Sequence, residues 1–240
     1  MIHELKWDSS LFHRKMGELR GDPEPLSRLE TALEKAREEG FQYLRYRLHS
    51  HETVQAMQLA SLGFYLSDIC VTWAFSTEKF SHKFSGEDRA VTREATRNDI
   101  PTLKKMVKSL FLESVFYNDP FFSNKDADIL HEAWIENSVK GEVADRVIYI
   151  PEKGFVTCKK LSSSEGRIVL IGVRKDCRGK ALGSILIQEA VKWFQKLGIK
   201  LVLVRTQLKN LNAMNFYKNS GFYIKDYDVV YAKIITQETK

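Results

Sequence analysis

The sequence has few of the residues that stabilise small secreted or metal-bound domains. It contains three cysteines, Cys70, Cys158 and Cys177, whose spacing fits neither a disulfide framework nor a zinc site. Its longest obvious apolar run, 168–173, is far shorter than the roughly 20 residues that span a bilayer. The first ten residues carry two acidic groups and no apolar core, unlike a signal peptide. We therefore expect a cytoplasmic protein without a metal site and without membrane insertion.

Charge of one sign is in moderate excess, with a formal net charge of +6 and a pI near 9.1. Such an excess either keeps a surface soluble or attracts phosphate groups. No long block of lysine and arginine alternates with aromatic residues, so we expect no nucleic-acid surface. The 240 residues, of which 43% are apolar, suffice for one large globular domain or two small ones.

The polar stretch at 76–89 lacks apolar periodicity and predicts a boundary between domains 1–80 and 90–240. In the second domain, apolar spacing and turn residues predict helices, strands and hairpin-length connections in mixed order. This order indicates an α/β fold with a mixed sheet. Two helices are expected first, one that starts near 98 and one that carries 129–134. They are followed by strands 146–150, 154–160 and 167–173, helix 182–197, strand 200–206, helix 210–219 and a strand pair across 222–234.

The loop 174–184, RKDCRGKALGS, joins the strand at 167–173 to a helix and is suited to binding an anion. The first amides of a helix have no intrahelical partner, and the helix dipole adds positive potential there. Gly179 and Gly183 would let a ligand approach the backbone, and Arg178 and Lys180 add charge. The pattern is neither a Walker loop nor GxGxxG, and an ordinary strand–helix turn is the alternative.

Within this loop, RGKALG at 178–183 resembles the pyrophosphate loop of the GNAT N-acetyltransferase superfamily, Gln/Arg-x-x-Gly-x-Gly/Ala. Ala181 stands where the family usually has glycine, and we expect its N–H to donate with a negative φ. A second hallmark, NLNAMNFYKNSGF at 210–222, also resembles the family. Its matching positions are Asn210, Ala213, Phe216, Tyr217, Gly221 and Phe222.

The resemblance covers about 90–235 and implies that acyl-CoA lies where strands 167–173 and 200–206 splay apart. It also implies that Tyr217 donates a proton to the departing thiolate, although a tyrosine packed beside Phe216 is the alternative. A backbone N–H near Val173 would polarise the thioester carbonyl. Asn210 is expected to cap a helix, with or without contact to the cofactor. The implied cofactor-binding residues are Ile171, Val173, Arg178, Gly179, Lys180, Ala181, Leu182, Gly183, Ser184 and Asn210.

A narrower resemblance, to the TDP-fucosamine acetyltransferase group, rests on segments 7–17, 117–142 and 204–210 and on a small leading domain. It implies transfer of acetyl or a hydroxyacyl group such as 3-hydroxybutyryl to the amine of a dTDP-linked amino-dideoxy sugar for surface polysaccharide. The expected acceptor-binding residues, in a cluster that also includes Phe122, are Phe116, Tyr117, Asp119, Phe121 and Trp134.

Several alternatives stay open at this point. Asp119, His131, Glu136 or an ordered water chain could take the proton from the acceptor ammonium. The acceptor could instead be a protein amino terminus or an antibiotic amine, or the chain could be a module that senses acyl-CoA without turnover. A homodimer is compatible with the sequence.

A weak internal repeat is present. Aligning Gly63 with Gly221 gives an offset of 158 residues, which pairs Arg47 with Arg205 and places Leu59 opposite Tyr217. We expect 40–75 to be a second strand–helix–strand unit that lacks the phenol, extends the sheet and frames the acceptor pocket. Chance similarity of a common unit is the alternative.

Overall fold

A computed structural model describes residues 2–20, 26–49, 56–79, 91–108 and 110–235. Most of the predicted boundary at 76–89 lies outside these ranges, and so do residues 50–55 within the predicted repeat unit 40–75. None of the helices in the described ranges is long and apolar enough to cross a membrane.

The described strands form one mixed sheet in the order β1-β2-β3-β10-β4-β9-β8-β7-β6-β5. Only β2/β3 and β8/β9 are parallel pairs. The expected α/β fold with a mixed sheet is confirmed, although 222–234 forms one long strand and not a pair. The strands are β1 (Ile2–Glu4), β2 (Met16–Leu19), β3 (Tyr43–His49), β4 (Tyr65–Ser76), β5 (Arg93–Glu94), β6 (Arg146–Ile150), β7 (Gly154–Lys160), β8 (Glu165–Val173), β9 (Leu201–Gln207) and β10 (Tyr223–Ile234).

Helix starts follow the capping rules in two places. Thr96 and Asp99 form a capping box ahead of a helix that holds Pro101 in its first turn, and Ser123 and Asp126 form another. Of the apolar residues at 129–134 on which the second helix was predicted, Leu130 is buried and Ile129 is exposed. The described helices are α1 (Lys6–Phe12), α2 (Leu26–Glu38), α3 (Ala56–Ser61), α4 (Ile100–Val107), α5 (Val115–Asn118), α6 (Asn124–Val139), α7 (Leu182–Lys196) and α8 (Leu211–Asn219).

The predicted repeat is present as two strand–helix–strand units. The bounds of β3 and β4 become those of β9 and β10 when 158 is added. Strand pairing repeats with the same offset of 158. Cys70 is opposite Gln207 in the β4/β9 pair, and their counterparts, Asp228 and His49, are opposite each other in the β3/β10 pair. Each unit thus pairs its second strand with the first strand of the other unit. The result is a pseudo-two-fold sheet in which β4 lies between β10 and β9.

Three apolar clusters and one mixed aromatic cluster cover the sheet. The largest lies under α7 and α8, and its counterpart in the first half lies under α2 and α3. A third lies beside α4 and α6. A fourth, which contains Phe12, Met16, Tyr43, Phe122 and Leu130, joins the 115–139 segment to the first half of the chain. This last contact brings the two halves together around one cleft.

Candidate active site

The cleft begins where β8 and β9 separate. They pair only between Glu165–Ile168 and Leu201–Val204, whereas β8 continues its pairing with β7 as far as Val173. Beyond Ile168, the edge of β8 that faces β9 therefore has no strand partner. Ile171 and Val173 lie on this free edge and line the cleft, so the strand can pair with an extended ligand.

Just past this edge, the loop before α7 presents unpartnered amides. Within the part of the chain that the structure describes, the backbone N–H groups of 179–184 donate to no protein acceptor. They precede or form the first turn of α7, where the helix dipole attracts anions. The loop therefore fits the diphosphate of acyl-CoA.

Ala181 corrects one expectation about this loop. Its φ is +55°, in the left-handed region, and not negative as the sequence interpretation required. Gly179 also has a positive φ, +76°. The loop therefore has two left-handed residues, which helps to explain why the family usually has glycine at the position of Ala181.

Gly179 and Gly183 have different roles in the structure. A Cβ at Gly179 would meet nothing within 4 Å, so the backbone there is open to a ligand. A Cβ at Gly183 would lie 3.0 Å from the ring of Phe216. Gly183 therefore lets α7 pack closely against α8.

The other expected cofactor residues divide into lining and non-lining groups. Arg178, Leu182, Ser184 and Asn210 line the cleft, whereas the exposed Lys180 does not. Arg178 Nε donates to the carbonyl oxygen of Val173 at 3.2 Å, which holds the loop to the end of β8. Asn210 caps α8 by accepting from Ala213 N at 3.0 Å.

Tyr217 lines the cleft. Its side chain is 4% exposed and packs against Trp73, Phe216 and Phe222 at centroid separations of 6.2, 5.4 and 5.7 Å. Burial raises the pKa of Tyr217 above its ordinary value near 10, so the phenol stays protonated at neutral pH. Tyr217 thus both packs in the core and lines the cleft.

On the acceptor side, the structure separates the expected residues. Phe116 and Trp134 line the cavity of about 1240 Å³, but Tyr117, Asp119 and Phe121 do not. The hydroxyl of Tyr117 donates to Asp128. Phe121 stacks on Tyr43 at 4.6 Å. Tyr117 therefore contributes to packing within this segment, and Phe121 packs the segment against β3.

Asp119 is engaged by protein donors. It is 3% exposed and accepts from Tyr43 Oη, Tyr65 Oη, Ser67 Oγ and Phe121 N. No cation is among these four donors. The carboxylate thereby ties the aromatic segment to β3 and β4 and does not line the cleft.

Of the other two base candidates, only His131 lines the cleft. Its Nδ1 donates to Ala127 O at 2.7 Å, which leaves Nε2 as the acceptor nitrogen of the neutral ring. Burial lowers the pKa of His131, so the ring is neutral at pH 7. Glu136, by contrast, is paired with Lys104 and Lys140.

Sequence reasoning did not assign a further set of cleft residues. Trp7 stacks nearly parallel to Trp134, at 6.4 Å and 8°, and Asp8 follows it. The other residues lie on β3, β4 and β9, where the repeat register gave the only signal, the pairing of Arg47 with Arg205. They are Arg45, Arg47, Asp68, Cys70, Arg205 and Gln207.

Comparisons with known proteins show similarity to one family over part of the chain. A model of the acetyltransferase (GNAT) family matches residues 115–222. The chain is similar to the dTDP-fucosamine acetyltransferase of Escherichia coli O6:H1, with 26% identity over 73% of this chain and 74% of that protein.

Solved structures share the fold over nearly the whole chain. A conserved protein of unknown function from Staphylococcus epidermidis has a TM-score of 0.64 at 12% identity, over 93% of this chain and 85% of its own. A GCN5-related N-acetyltransferase from Sphaerobacter thermophilus has a TM-score of 0.62 at 12% identity, over 92% and 73%. The shared fold thus extends well beyond residues 115–222, which the family model matches.

Proposed function

We propose that this chain, a GNAT-type acyl-CoA-dependent acyltransferase, acylates the amine of a dTDP-linked amino-dideoxy sugar. The acyl group is acetyl or a short hydroxyacyl group such as 3-hydroxybutyryl. The product would serve surface polysaccharide synthesis. The chain carries free cysteines at 70, 158 and 177, in keeping with a reducing cytoplasm.

One observation carries the proposal: the cofactor loop and a large polar and aromatic acceptor chamber are parts of one cleft. The cavity of about 1240 Å³ extends from the 178–184 loop past Tyr217 to Trp7, Trp134 and the arginines of β3. It exceeds the usual 300–1,000 Å³ of a single small-ligand pocket, so it can hold two bulky substrates. Similarity to a dTDP-fucosamine acetyltransferase supports the same acceptor class.

The aromatic residues suit a sugar or a planar base. Phe116 and Trp134 line the chamber with their rings nearly perpendicular, at 87°, and Trp7 stacks on Trp134. Trp7 is 38% exposed, so part of its ring remains available to a ligand. Aromatic faces of this kind stack well on nucleobases and on the apolar faces of sugars.

Tyr217 is the proposed proton donor. Because burial keeps its phenol protonated, it can donate to the sulfur as the C–S bond of the thioester breaks. The amine attacks the carbonyl carbon, the new C–N bond forms, and the thiolate leaves as the thiol. A backbone N–H at the free edge of β8 near Val173 would stabilise the carbonyl oxygen.

His131 is the proposed acceptor of the proton that the amine loses. It is neutral at pH 7, lines the acceptor part of the cleft and keeps Nε2 as an acceptor. The rings of Phe111 and Tyr117 stack on either side of it, at 5.1 and 5.6 Å. These contacts fix the orientation of the imidazole.

The first repeat unit is proposed to be non-catalytic. Its counterpart of Tyr217 is Leu59, a fully buried residue in the core under α2 and α3. Its contribution is to supply β3 and β4, whose side chains form one wall of the acceptor chamber.

The test is an acceptor panel assayed by thiol release with acetyl-CoA and with 3-hydroxybutyryl-CoA. The panel contains dTDP- and UDP-linked 3-amino and 4-amino sugars, a peptide amino terminus and an aminoglycoside. We expect turnover with the dTDP-linked sugars, and product mass identifies the transferred group. Turnover with the peptide or aminoglycoside and none with nucleotide sugars would reject this acceptor class.

A further inference from the structure

Three arginines converge on the acceptor wall of the cleft. Arg45 and Arg47 lie on β3, Arg205 lies on β9, and all three line the cavity. The strands between β3 and β9, which are β10 and β4, place no large side chain directly opposite Arg47 or Arg205. Arg205 is opposite Thr72, and Arg47 is opposite Val230. Their side chains are 27%, 23% and 38% exposed.

These arginines are on the opposite face of the sheet from the cofactor helix. Val202 and Val204 of β9 pack in the core under α7, and Arg205 alternates to the other face. The 178–184 loop, at the start of α7, is thus a separate positive site. The cleft connects the two.

The three guanidinium groups share two carboxylates. Arg47 Nη1 donates to Asp228 Oδ2 at 3.2 Å, and Arg205 donates to the same oxygen. Arg45 Nε donates to Glu18 Oε2 at 2.6 Å. Within the described residues, Arg45 and Arg47 each use one of their five N–H donors on the protein, so most of their donors remain for a ligand.

The local charges favour an added anion. Burial and the neighbouring guanidinium groups of Arg205 and Arg45 lower the pKa of Arg47. Asp8 on α1 also interacts with Arg45, but burial raises the pKa of Asp8 and so disfavours its charged carboxylate form. Positive groups held close together in this way are stabilised when an anion binds between them.

We propose that Arg45, Arg47 and Arg205 form a second phosphate subsite, which binds the diphosphate of the acceptor nucleotide. This rests on the proposed function and extends it to the residues that select a nucleotide-linked acceptor. At about 4.8 Å per strand, β3 is roughly 14 Å from β9, a span that can hold a sugar at the reaction centre and its diphosphate over β3 and β10. Planar guanidinium groups bind phosphate oxygens in pairs, which would fix the sugar in one orientation.

The test compares Arg45→Gln, Arg47→Gln and the double variant with the wild type, using a dTDP-amino sugar as the acceptor and thymidine diphosphate as the inhibitor. We expect a 10–100-fold rise in acceptor KM for each variant, the equivalent of about 1.4–2.7 kcal/mol. The KM for acyl-CoA should stay within about twofold. In the wild type, thymidine diphosphate should compete with the acceptor and not with acyl-CoA, which distinguishes this subsite from the cofactor loop.

Two control variants guard against effects of misfolding or net charge. Arg47→Lys keeps the charge and should retain part of the affinity, and circular dichroism checks that each variant is folded. Arg93→Gln removes an equal charge from β5, at the far edge of the sheet, and should leave acceptor KM unchanged.

The outcomes for the subsite and for the proposed function can be told apart. If the wild type acylates nucleotide sugars but both glutamine variants keep its acceptor KM, the subsite is wrong and the function stands. If nucleotide sugars are not acylated, but calorimetry on the protein saturated with coenzyme A shows pyrophosphate binding that is lost in the double variant, the subsite stands and the acceptor class is wrong. Unchanged pyrophosphate binding in the double variant would overturn the subsite.

Discussion

Arg47 and Arg205 occupy equivalent positions in the two repeat units, 158 residues apart, and both donate to Oδ2 of Asp228. Asp228 pairs with Cys70, and the same offset maps this pair onto itself. The pseudo-two-fold axis therefore passes through the Cys70–Asp228 pair. The two equivalent arginines bind the same carboxylate because only one of the two residues on this axis, Asp228, is acidic.

The exchange of strands between the units predicts that neither half folds alone. A fragment of residues 91–240 would lack β4, which lies between β9 and β10, and would expose two long strand edges. We expect it to show no cooperative thermal transition, whereas co-expression with residues 1–80 should yield a soluble complex. Thermal melts followed by circular dichroism measure this. A fragment that melts cooperatively and releases thiol from acyl-CoA would contradict it.

Replacement of Tyr217 by phenylalanine should lower kcat about 10²–10⁴-fold, because the leaving thiolate loses its proton donor. The KM for acyl-CoA should change little, since the ring and its packing remain. Steady-state kinetics with thiol detection separate the two parameters. Tyr223→Phe, at an exposed tyrosine of β10, is the matched control; normal turnover in Tyr217→Phe would remove the residue from the mechanism.

The left-handed conformation of Ala181 predicts different effects of two substitutions. Ala181→Gly removes a backbone cost of about 1 kcal/mol from the folded state, but glycine also gives the unfolded state a similar gain in conformational entropy. The two effects offset each other, so the free energy of unfolding should change little. Ala181→Val should destabilise the loop further and raise the KM for acyl-CoA, because a β-branched residue tolerates positive φ poorly. Thermal midpoints and KM values for both variants test this. Equal behaviour of the two would argue against the left-handed conformation.

Loss of the Asp119 carboxylate should destabilise the protein without changing the chemistry directly. Asp119→Ala leaves three hydroxyl donors without their acceptor, including the buried Tyr43 hydroxyl. We expect the free energy of unfolding to fall by about 2–4 kcal/mol. Urea unfolding measures the change, and Asp128→Ala, which removes a carboxylate from α6 that accepts from one tyrosine, is the comparison. An effect no larger than that of Asp128→Ala would mean that the four contacts are not additive.

Asp68 should make stability depend on pH in an identifiable direction. Burial raises the pKa of Asp68, so the folded state binds its proton more tightly than the unfolded state does. Its contribution is complete below the unfolded pKa, near 3.9, and is lost as pH rises through the higher folded value. Asp68→Asn should therefore raise the melting temperature at pH 7.5, by an amount that shrinks toward pH 4.

The matched control for that pH series is Asp176→Asn. Arg174 lowers the pKa of the exposed Asp176, so its stabilisation is present at neutral pH and is lost as pH falls through the folded pKa. This variant should show no gain at pH 7.5. A gain in both variants, or in neither, would contradict the assignment for Asp68.

The sequence by itself determined the local features of this protein. The Asn210 cap and the bounds of β6 to β9, to within two residues, were predicted from spacing, because they depend on neighbouring residues. The 158-residue repeat was also readable, because it compares the chain only with itself.

The tertiary structure alone decided which side chains face the cleft. Asp119 and His131 are twelve positions apart in one polar and aromatic segment, yet the first is enclosed by donors from β3 and β4 and the second lines the cavity. Arg45 and Arg205 are distant in sequence and line the same cleft because the sheet order puts only β10 and β4 between their strands. Long-range strand order, which local propensity does not encode, sets these contacts.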